Sequence, residues 1–497
     1  MAFNLPSHRN ARTQRLPGLV TVPGRAALAV FAFMCVLVAL PARADEGVPA
    51  ARQGAHDQAA PRLIAYFTQW GIYDANFLVK DVAASGAAAK LTHINYAFGN
   101  VAPDPTLSGA PVTCQSGDPW ADYEKPWTAA QSVDGIEVTA AQPLRGNFQQ
   151  LRQLKLLNPS LKLLVSLGGW TWSAHFSNAA LTEASRRVLA KSCVDLFIKG
   201  LLPQDAPGDT GSAVDVFDGI DIDWEYPGQC GNSCEPGVAR PEDTRNFTLL
   251  LQEFRRQLDE AARQRRRPFL LTIAAAAGPA TLARLELAAI ARSLDFINVM
   301  TYDYHGAWEG SANFNSPLFP SSRDPSRAQR LSTAETVGAY LAGGVPRHKL
   351  VIGVPAYSQG WQGVADVNHG LYQPGTGNPT LIYRQAKALR DAGEFVRFAD
   401  PLTAGAWLYN PGTQVFWTYD DAAVMQAKAC FARALGLGGV MMWELGGDTA
   451  DAELSSALHA TLRARHPGLA CAAALPAWDP SFLFADEPPW STMKGTR

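Results

Sequence analysis

The sequence predicts an α/β protein, a (β/α)8 (TIM) barrel with a small α+β insertion between its seventh and eighth strands. Three observations predict this fold. Short apolar runs recur along the chain, amphipathic segments with helix start signals separate several of them, and two connections are longer than ordinary barrel loops. Strands that alternate with helices pair in parallel, and eight such repeats close into a barrel.

The eight apolar runs are the predicted strands. They are Leu63 to Phe67, His93 to Ala97, Lys162 to Leu167, Gly219 to Asp223, Phe269 to Ala274, Phe296 to Met300, Lys349 to Pro355 and Gly439 to Trp443. The rival architecture is an open doubly wound sheet, which usually has a glycine-rich phosphate-binding turn after its first strand. Phe67-Thr68-Gln69-Trp70 is not such a turn, so the barrel is preferred.

Three of the connections carry helix signals. Thr182 to Gly200 is amphipathic, a second segment follows Pro241-Glu242-Asp243, and a third begins with the capping box Ser332-Thr333-Ala334-Glu335. Each lies between two apolar runs, where a barrel places its helices.

Two connections are too long for barrel loops. Residues 100–145 are expected to wall one side of the barrel mouth, and residues 356–413 are predicted to form the small α+β insertion. Aromatic residues in them include Trp120, Tyr123 and Trp127 in the first, and Tyr372, Tyr383, Phe395, Phe398 and Trp407 in the second.

The stretch Asp218 to Pro227 reads DGIDIDWEYP and brings three carboxyls together. Side chains in a strand alternate between faces, so Asp221, Asp223 and Glu225 share one face, while the isoleucines and the tryptophan between them share the other. Acidic residues are unfavourable in strands, and buried like charges are costly unless they share protons or pair with a ligand. Such a row therefore needs a functional reason.

A solvated acidic face and a cation site are the alternative interpretations of this row. The apolar side chains that alternate with the acids need burial against helices, which places the acids inside the fold. Carboxyls stacked at the C-terminal end of a strand suit general acid catalysis, because the neighbours raise the pKa of the last acid, Glu225, and keep it protonated near neutrality.

This stretch resembles the signature DxxDxDxE of glycoside hydrolase family 18, the chitinases, with Asp218, Asp221, Asp223 and Glu225 at the four acidic positions. Three other run ends resemble elements of the same family in the same order. SLGGW resembles SxGG, NVMTYD resembles MxYD, and a tryptophan ends the eighth run. The residues concerned are Ser166, Gly168, Gly169, Trp170, Met300, Tyr302, Asp303 and Trp443.

The resemblance implies catalytic roles. Glu225 would protonate the glycosidic oxygen and later deprotonate water, Asp223 would bond the acetamido N–H, and Asp221 would share a proton with Asp223. Tyr302 would hold an acetamido oxygen. Asp218 lies off the alternation and is expected to support the strand.

The resemblance also implies a substrate-binding set around these groups. Trp443 would be the floor on which the reacting sugar stacks, because aromatic rings bury the apolar faces of sugars well. Ser166 would bond the inner aspartates, and Gly168 would let the backbone approach the catalytic strand. The predicted substrate-binding residues are Tyr66, Phe98, Ser166, Gly169, Trp170, Tyr226, Met300, Asp303 and Trp443. The weaker candidates for sugar subsites are Trp170 and Tyr226 of this set, together with Trp70 and Trp172.

One element departs from the family pattern. The seventh run is followed by Tyr357-Ser358-Gln359-Gly360-Trp361, where the family frequently has YGRGW. The resemblance therefore does not predict which residues contact the substrate on this side of the barrel mouth, or which products are released.

The resemblance implies hydrolysis of β-1,4-linked N-acetylglucosamine polymers, chitin and chito-oligosaccharides, with retention. This family is an exception among retaining glycosidases, because the substrate's own acetamido group is the nucleophile and forms an oxazolinium ion. The scheme needs no metal and no cofactor. A catalytically silent chitin-binding lectin is one alternative, against which the intact Glu225 argues. An endo-β-N-acetylglucosaminidase acting on N-glycans, or an enzyme of bacterial wall, is the other.

The N-terminus predicts export. Residues 1–44 combine arginines, an apolar run from Ala26 to Leu40 and the pattern Ala42-Arg43-Ala44, which is typical of a signal peptide; a retained anchor is the alternative. Residues 45–61 are predicted to be a disordered leader, residues 62–465 the catalytic barrel and residues 466–497 a tail. Loss of residues 1–44 would change the formal net charge from −2 to about −7. A negative net charge disfavours binding to nucleic acid or to an anionic membrane. The signal peptide predicts a secreted protein (extracellular or periplasmic), and we expect a monomer.

Six cysteines remain after the signal peptide. Cys230 and Cys234 lie in one short loop and are expected to form a disulfide in an oxidising compartment. Cys193 and Cys430 lie in helical patterns and are expected to be buried free thiols.

Overall fold

The structure is a computed structural model, which describes residues 60–466 except 74, 207 and 209, together with residues 471, 474 and 475. The predicted signal peptide lies outside the described residues, as do the predicted leader except for residues 60 and 61 and most of the predicted tail. Within the described part of the chain, no helix is both long and apolar enough to cross a bilayer.

Eight parallel strands form a closed barrel. They are β1 (Arg62–Thr68), β2 (His93–Pro103), β4 (Lys162–Gly168), β5 (Gly219–Asp223), β6 (Leu270–Ala275), β7 (Phe296–Val299), β8 (Leu350–Pro355) and β14 (Gly439–Trp443). Neighbours in this series pair with each other, and β1 also pairs with β14, which closes the ring. The predicted (β/α)8 barrel is confirmed, and each of the eight predicted runs is a strand.

Helices follow most of the barrel strands, and α10 lies within the segment that carries the second sheet described below. They are α1 (Val79–Ala84), α2 (Gly146–Leu157), α3 (Gly169–Trp172), α4 (Phe176–Ala180), α5 (Glu183–Cys193), α6 (Asp243–Arg265), α7 (Pro279–Leu282), α8 (Leu287–Ser293), α9 (Thr333–Ala342), α10 (Tyr383–Asp391), α11 (Ala422–Ala434) and α12 (Glu453–Arg463). The predicted start signals are those observed: Thr182 caps α5 and Ser332 caps α9, each accepting a hydrogen bond from a backbone N–H of the first turn.

The strands separate two apolar layers. Ile220 and Ile222 of β5 face outward and join the main core between strands and helices. A smaller cluster fills the barrel interior, and Tyr66, Phe98 and Met441 belong to it. Because side chains alternate along β5, the outward isoleucines fix Asp221 and Asp223 on the inner side.

The long connection after β2 forms a hairpin and a wall. β2 continues to Pro103 and pairs in antiparallel fashion with β3 (Val112–Ser116). Residues 117–119, which follow β3, border the cleft described below. Trp127 is buried and Trp120 is about half exposed, so only a short part of residues 100–145 reaches the cleft.

A second sheet lies between β8 and α11. It consists of five antiparallel strands: β9 (Gln359–Gln362), β10 (Thr376–Asn378), β11 (Val396–Asp400), β12 (Gly405–Asn410) and β13 (Val415–Tyr419). The sheet continues to Tyr419, past the predicted end at residue 413, because β13 pairs with both β12 and β9. A separate apolar cluster that includes Trp361, Trp407 and Phe416 packs beneath it.

The structure joins the cysteines in three disulfides. Cys230–Cys234 forms as expected. The expectation that Cys193 and Cys430 are free thiols is wrong: Cys193 of α5 is bonded to Cys114 of β3, and Cys430 of α11 is bonded to Cys471. The Cα atoms of these pairs are 4.9 and 5.3 Å apart, and it is the packing of distant segments that brings them within bonding range.

Candidate active site

A cleft of about 1550 Å³ opens where the barrel strands end. Residues at or just after the C-terminal end of every barrel strand line it, as barrel geometry requires. Its walls are rich in aromatic side chains, and Asp223 at the end of β5 and Glu225 just after it also line the cleft. Of the predicted residues, those that line it are Tyr66, Phe98, Gly168, Trp170, Asp223, Glu225, Tyr226, Met300, Tyr302, Asp303 and Trp443, with Trp70 and Trp172.

Asp221 lies beneath the cleft, fully buried in the barrel. One of its oxygens accepts hydrogen bonds from the Tyr66 hydroxyl (2.7 Å) and from Ser166 Oγ (2.8 Å). The other accepts from Thr272 Oγ1 (2.5 Å) and Asn298 Nδ2 (3.3 Å). Burial raises the pKa of Asp221, and these four hydrogen bonds oppose the rise.

Asp223 is buried two residues further along β5 than Asp221, at the end of the strand. Its Oδ1 has no hydrogen-bond partner among the described residues. Burial raises the pKa of Asp223 well above its ordinary value, and the neighbouring Glu225 and Asp221 raise it further. A buried, unpartnered oxygen at the edge of a cleft is available to a bound molecule, since buried polar atoms are otherwise paired.

Glu225 follows Asp223 at the mouth of the barrel. Its backbone N–H donates to Ser173 Oγ (2.8 Å), which fixes the end of β5 against the segment that follows α3. Burial raises the pKa of Glu225 to about 7; a hydrogen bond with Tyr226 opposes the rise and the charge of Asp303 adds to it. The carboxyl is therefore partly protonated near neutral pH, as a general acid requires.

Two glycines bring the end of β4 close to these acids. Gly168 has φ 102°, and a Cβ there would lie 2.5 Å from the Asp223 carbonyl oxygen. A Cβ on Gly169 would lie 2.6 Å from the Phe98 ring, so Gly169 gives room to an aromatic wall rather than lining the cleft itself. Both positions have the left-handed backbone that glycine adopts readily.

Tyr302 and Asp303 come from the end of β7. The Tyr302 ring is buried above the barrel interior, in the space left by Gly353, where a Cβ would lie 2.7 Å from it. Asp303 has φ 53°, and its backbone N–H donates to Asn315 Oδ1 (2.7 Å). Gln359 Nε2 donates to Asp303 Oδ1 (2.9 Å), so the carboxyl is held at a fixed place in the cleft.

Trp443 forms an aromatic cluster on the cleft floor. Its ring centroid is 5.1 Å from that of Tyr66 and 5.7 Å from that of Phe98, to which it is nearly parallel. Trp170 stands across the cleft and is about half exposed. This arrangement offers flat apolar faces of the kind on which sugar rings pack.

Asp218 lies at the other end of β5, away from the cleft. Its carboxylate is paired with Lys155 (2.7 Å) and Arg267 (2.8 Å) and accepts from the Leu163 backbone N–H (3.0 Å). These contacts tie the start of β5 to β4 and to the residues before β6.

Sequence reasoning missed several residues that line the cleft. They are Gln69, Asp118, Trp308, Gln359 and Glu444. Gln359 had been noted only as part of the motif that departs from the family pattern. Glu444 follows Trp443 directly, so its position at a strand end was a signal that could have been used. Trp308 lies in the loop after β7, and nothing in the surrounding sequence distinguishes it from other surface aromatics.

Comparison with known proteins gives the same family as these motifs. A family model described as Glycosyl hydrolases family 18 matches residues 62–448. Chitinase A1 of Niallia circulans is 36% identical over 78% of this chain and 56% of its own length, and Chitinase C of Streptomyces lividans is 38% identical over 78% and 58%. The chain thus spans less than two thirds of these relatives.

A solved structure gives a similar result. The catalytic domain of psychrophilic chitinase B from Arthrobacter TAD20 has a TM-score of 0.74 and 37% identity, covering 82% of this chain and 97% of that one. The fold, the motif residues at the strand ends and the matched family model agree, and the chain belongs to glycosyl hydrolases family 18.

Proposed function

We propose that the protein is a chitinase that hydrolyses β-1,4-linked N-acetylglucosamine polymers with retention. One observation carries the proposal: Glu225, with its pKa raised to about 7, stands in an aromatic-lined cleft beside the unpartnered oxygen of Asp223. The relatives and the solved structure are named chitinases, which supports the same substrate.

The proposed chemistry uses the substrate's acetamido group as nucleophile. Glu225 donates a proton to the leaving glycosidic oxygen while the acetamido carbonyl attacks the anomeric carbon and forms the oxazolinium ion. The ionised Glu225 then takes a proton from the water that attacks the anomeric carbon, which opens the ion and restores the acid. Asp223 Oδ1 accepts from the acetamido N–H, which holds that group in place and balances the positive oxazolinium ion. Tyr302 contacts the acetamido oxygen, and Asp221 shares a proton with Asp223. Holding the nucleophile within the substrate gives the entropic advantage of an intramolecular reaction.

The proposed substrate contacts follow the cleft walls. Trp443 is the stacking floor, with Tyr66 and Phe98 behind it. The sugar units on either side of the reacting sugar contact Trp170, Tyr226, Met300 and Asp303.

Glu225→Gln tests the proposal. The amide keeps the size of the side chain but cannot donate the catalytic proton in the same way, so we expect the rate of chitin hexamer hydrolysis to fall by at least a hundredfold while binding of the hexamer persists. Glu260→Gln, a change on the exposed face of α6, is the matched control. Unchanged turnover in Glu225→Gln would refute the assignment of the acid.

The segment from Gln359 to Tyr419 is proposed to be the α+β insertion that deepens the groove. Its own antiparallel sheet and apolar cluster support this, as does the position of Gln359 and Thr380 in the cleft wall. Deletion of the segment should lower affinity for long oligomers more than for short ones.

Export through a signal peptide at residues 1–44 and action as a secreted monomer are also proposed. The three disulfides support an oxidising compartment. Sequencing the N-terminus of the protein recovered outside the cell tests cleavage after residue 44. The mass of the same protein under native conditions tests whether it is a monomer.

A further inference from the structure

A disulfide closes a small ring in the loop that follows Glu225. Cys230 and Cys234 form this ring between the end of β5 and α6, and both cysteines are exposed to solvent. The loop is anchored on each side of the ring. Gln229 Nε2 donates to a backbone carbonyl of α7 (3.1 Å), and the Arg240 guanidinium donates to an asparagine side chain of α4 (2.7 Å). The ring is therefore held at a fixed place beside the barrel mouth.

The ring packs directly on the backbone of Glu225. A Cβ on Gly231, which lies within the ring, would be 2.1 Å from the Glu225 carbonyl oxygen and 3.6 Å from the Trp170 ring. A residue with a side chain could not bring the loop this close. The Glu225 backbone N–H donates to Ser173 Oγ (2.8 Å). The backbone of Glu225 is thus held at its N–H by one segment and at its carbonyl by another.

Little space remains between the ring and Glu225. The cavity there has a volume of about 10 Å³, and Trp170, Ser173 and Val238 also line it. This volume is about that of one water probe, so the ring limits the access of solvent to Glu225. Burial is the largest cause of the raised pKa of Glu225, and the ring supplies part of that burial.

We propose that the ring closed by Cys230–Cys234 positions the catalytic carboxyl and shields it from water: it holds Gly231 against the Glu225 backbone, so that opening the disulfide lowers turnover while the substrate contacts remain. The inference rests on the proposed function, in which Glu225 is the acid. Gly231 and the two cysteines are positioning residues, because the described residues that line the cleft include none of them.

Reduction of the wild type is the first test. A dithiol reductant opens the ring by thiol–disulfide exchange: the Cys230–Cys234 bond breaks, the dithiol becomes a disulfide, and its two electrons and two protons leave both cysteines as thiols. Cys114, Cys193 and Cys430 are buried, so each of the other two disulfides has a protected sulfur. Mild reduction should therefore reach the exposed ring first, and alkylation followed by mass spectrometry identifies the opened pair.

In the reduced wild type we expect kcat on chitin hexamer to fall by about fivefold to fiftyfold, because a small displacement of a catalytic group is costly. KM should stay within about threefold, since the walls that contact the substrate are unchanged. Reoxidation should restore kcat.

Two variants test the same contact without a reductant. Cys230→Ser with Cys234→Ser is the open-ring variant; its kcat should equal that of the reduced wild type, and the reductant should have no further effect on it. Gly231→Ala keeps the disulfide but places a methyl group against the Glu225 carbonyl oxygen, so kcat should fall as well. Gly310→Ala is the matched control, because a Cβ there would meet no atom within 4 Å.

The pH profile distinguishes positioning from a loss of stability. The titratable groups that face Glu225 lie at the end of β5, just after it, and at the end of β7; they are Asp223, Tyr226, Tyr302 and Asp303. All of them stay in the open-ring variant. Water that enters beside Glu225 should lower its pKa, so the basic limb of kcat/KM should move to lower pH by about half a unit or more. Gly310→Ala should keep the wild-type limb.

The outcomes separate this inference from the proposed function. Full activity of wild type whose Cys230 and Cys234 are reduced and alkylated overturns the inference and leaves the chitinase proposal standing. So does an open-ring variant with the kcat or the basic limb of wild type, or one that loses as much activity on reduction as wild type does. Wild type without activity on chitin hexamer overturns the proposed function itself.

Discussion

Glu225 should make the folded protein less stable as pH rises, and Glu225→Gln should remove that effect. In the unfolded chain Glu225 ionises near its ordinary pKa of 4.5, whereas in the cleft its pKa is about 7. A pKa that is raised in the folded state contributes stability that is fully present below pH 4.5 and is lost as pH rises through 7. Each pKa unit corresponds to about 1.4 kcal/mol, so ionised Glu225 costs the folded protein about 3 kcal/mol above pH 7.

The assay is urea unfolding of wild type and Glu225→Gln at pH 4, 6 and 8. The glutamine stays neutral at every pH, and loss of the Glu225 charge also makes the pKa of Asp223 less raised in the variant. Both effects have the same sign, so the difference in unfolding free energy between the two proteins should shift by at least about 3 kcal/mol in favour of Glu225→Gln between pH 4 and pH 8. Comparison across pH cancels any fixed effect of the substitution on packing.

Two results would contradict this reasoning. A difference between the variants that is constant from pH 4 to pH 8 would mean that Glu225 ionises in the cleft as it does in water. A shift in favour of wild type would mean that a cation stabilises the ionised carboxylate, contrary to the acidic surroundings described above.

Three further outcomes are expected. Lys428→Met should lower the free energy of unfolding by about 3–5 kcal/mol, because Lys428 and Asp420 form a buried ion pair and the aspartate would lose its cation, keeping only the hydrogen bond from Ser316; urea unfolding should show that Lys428→Met with Asp420→Leu recovers most of the loss. Trp443→Ala should raise KM for chitin hexamer by about tenfold through loss of the stacking surface, with Trp443→Phe intermediate in the same steady-state assay. Gly168→Ala should destabilise the protein by more than about 2 kcal/mol in thermal or urea unfolding, since φ is 102° and the new Cβ would meet the Asp223 carbonyl oxygen; wild-type stability would contradict the assigned backbone.

The barrel strands and the acid row could be predicted because their signals are local. Alternation along Gly219–Asp223 and an apolar run at each strand are properties of a few consecutive residues. The partners of Asp221 could not be predicted in the same way. Thr272 lies opposite Asp221 in the pairing of β5 with β6, and Asn298 comes from β7, so both contacts depend on strand register.

The disulfides and the end of the second sheet show the same limit. Cys193 lies in a helical pattern that reads as buried, and only the packing of α5 against the β3 hairpin places Cys114 beside it. Val415–Tyr419 leads straight into α11 along the chain, and only its pairing with β9 and β12 shows that it belongs to the second sheet. Distant pairing is not encoded in composition or periodicity.

The closure of the barrel has a consequence for biosynthesis. β1 is completed on one side by β2 and on the other by β14, whose residues are the last of the eight strands to leave the ribosome. Until Gly439–Trp443 has emerged, β1 and β8 each present an unpaired edge, which is a template for intermolecular pairing. A truncated polypeptide that stops before residue 439 should consequently aggregate rather than retain a partial enzyme.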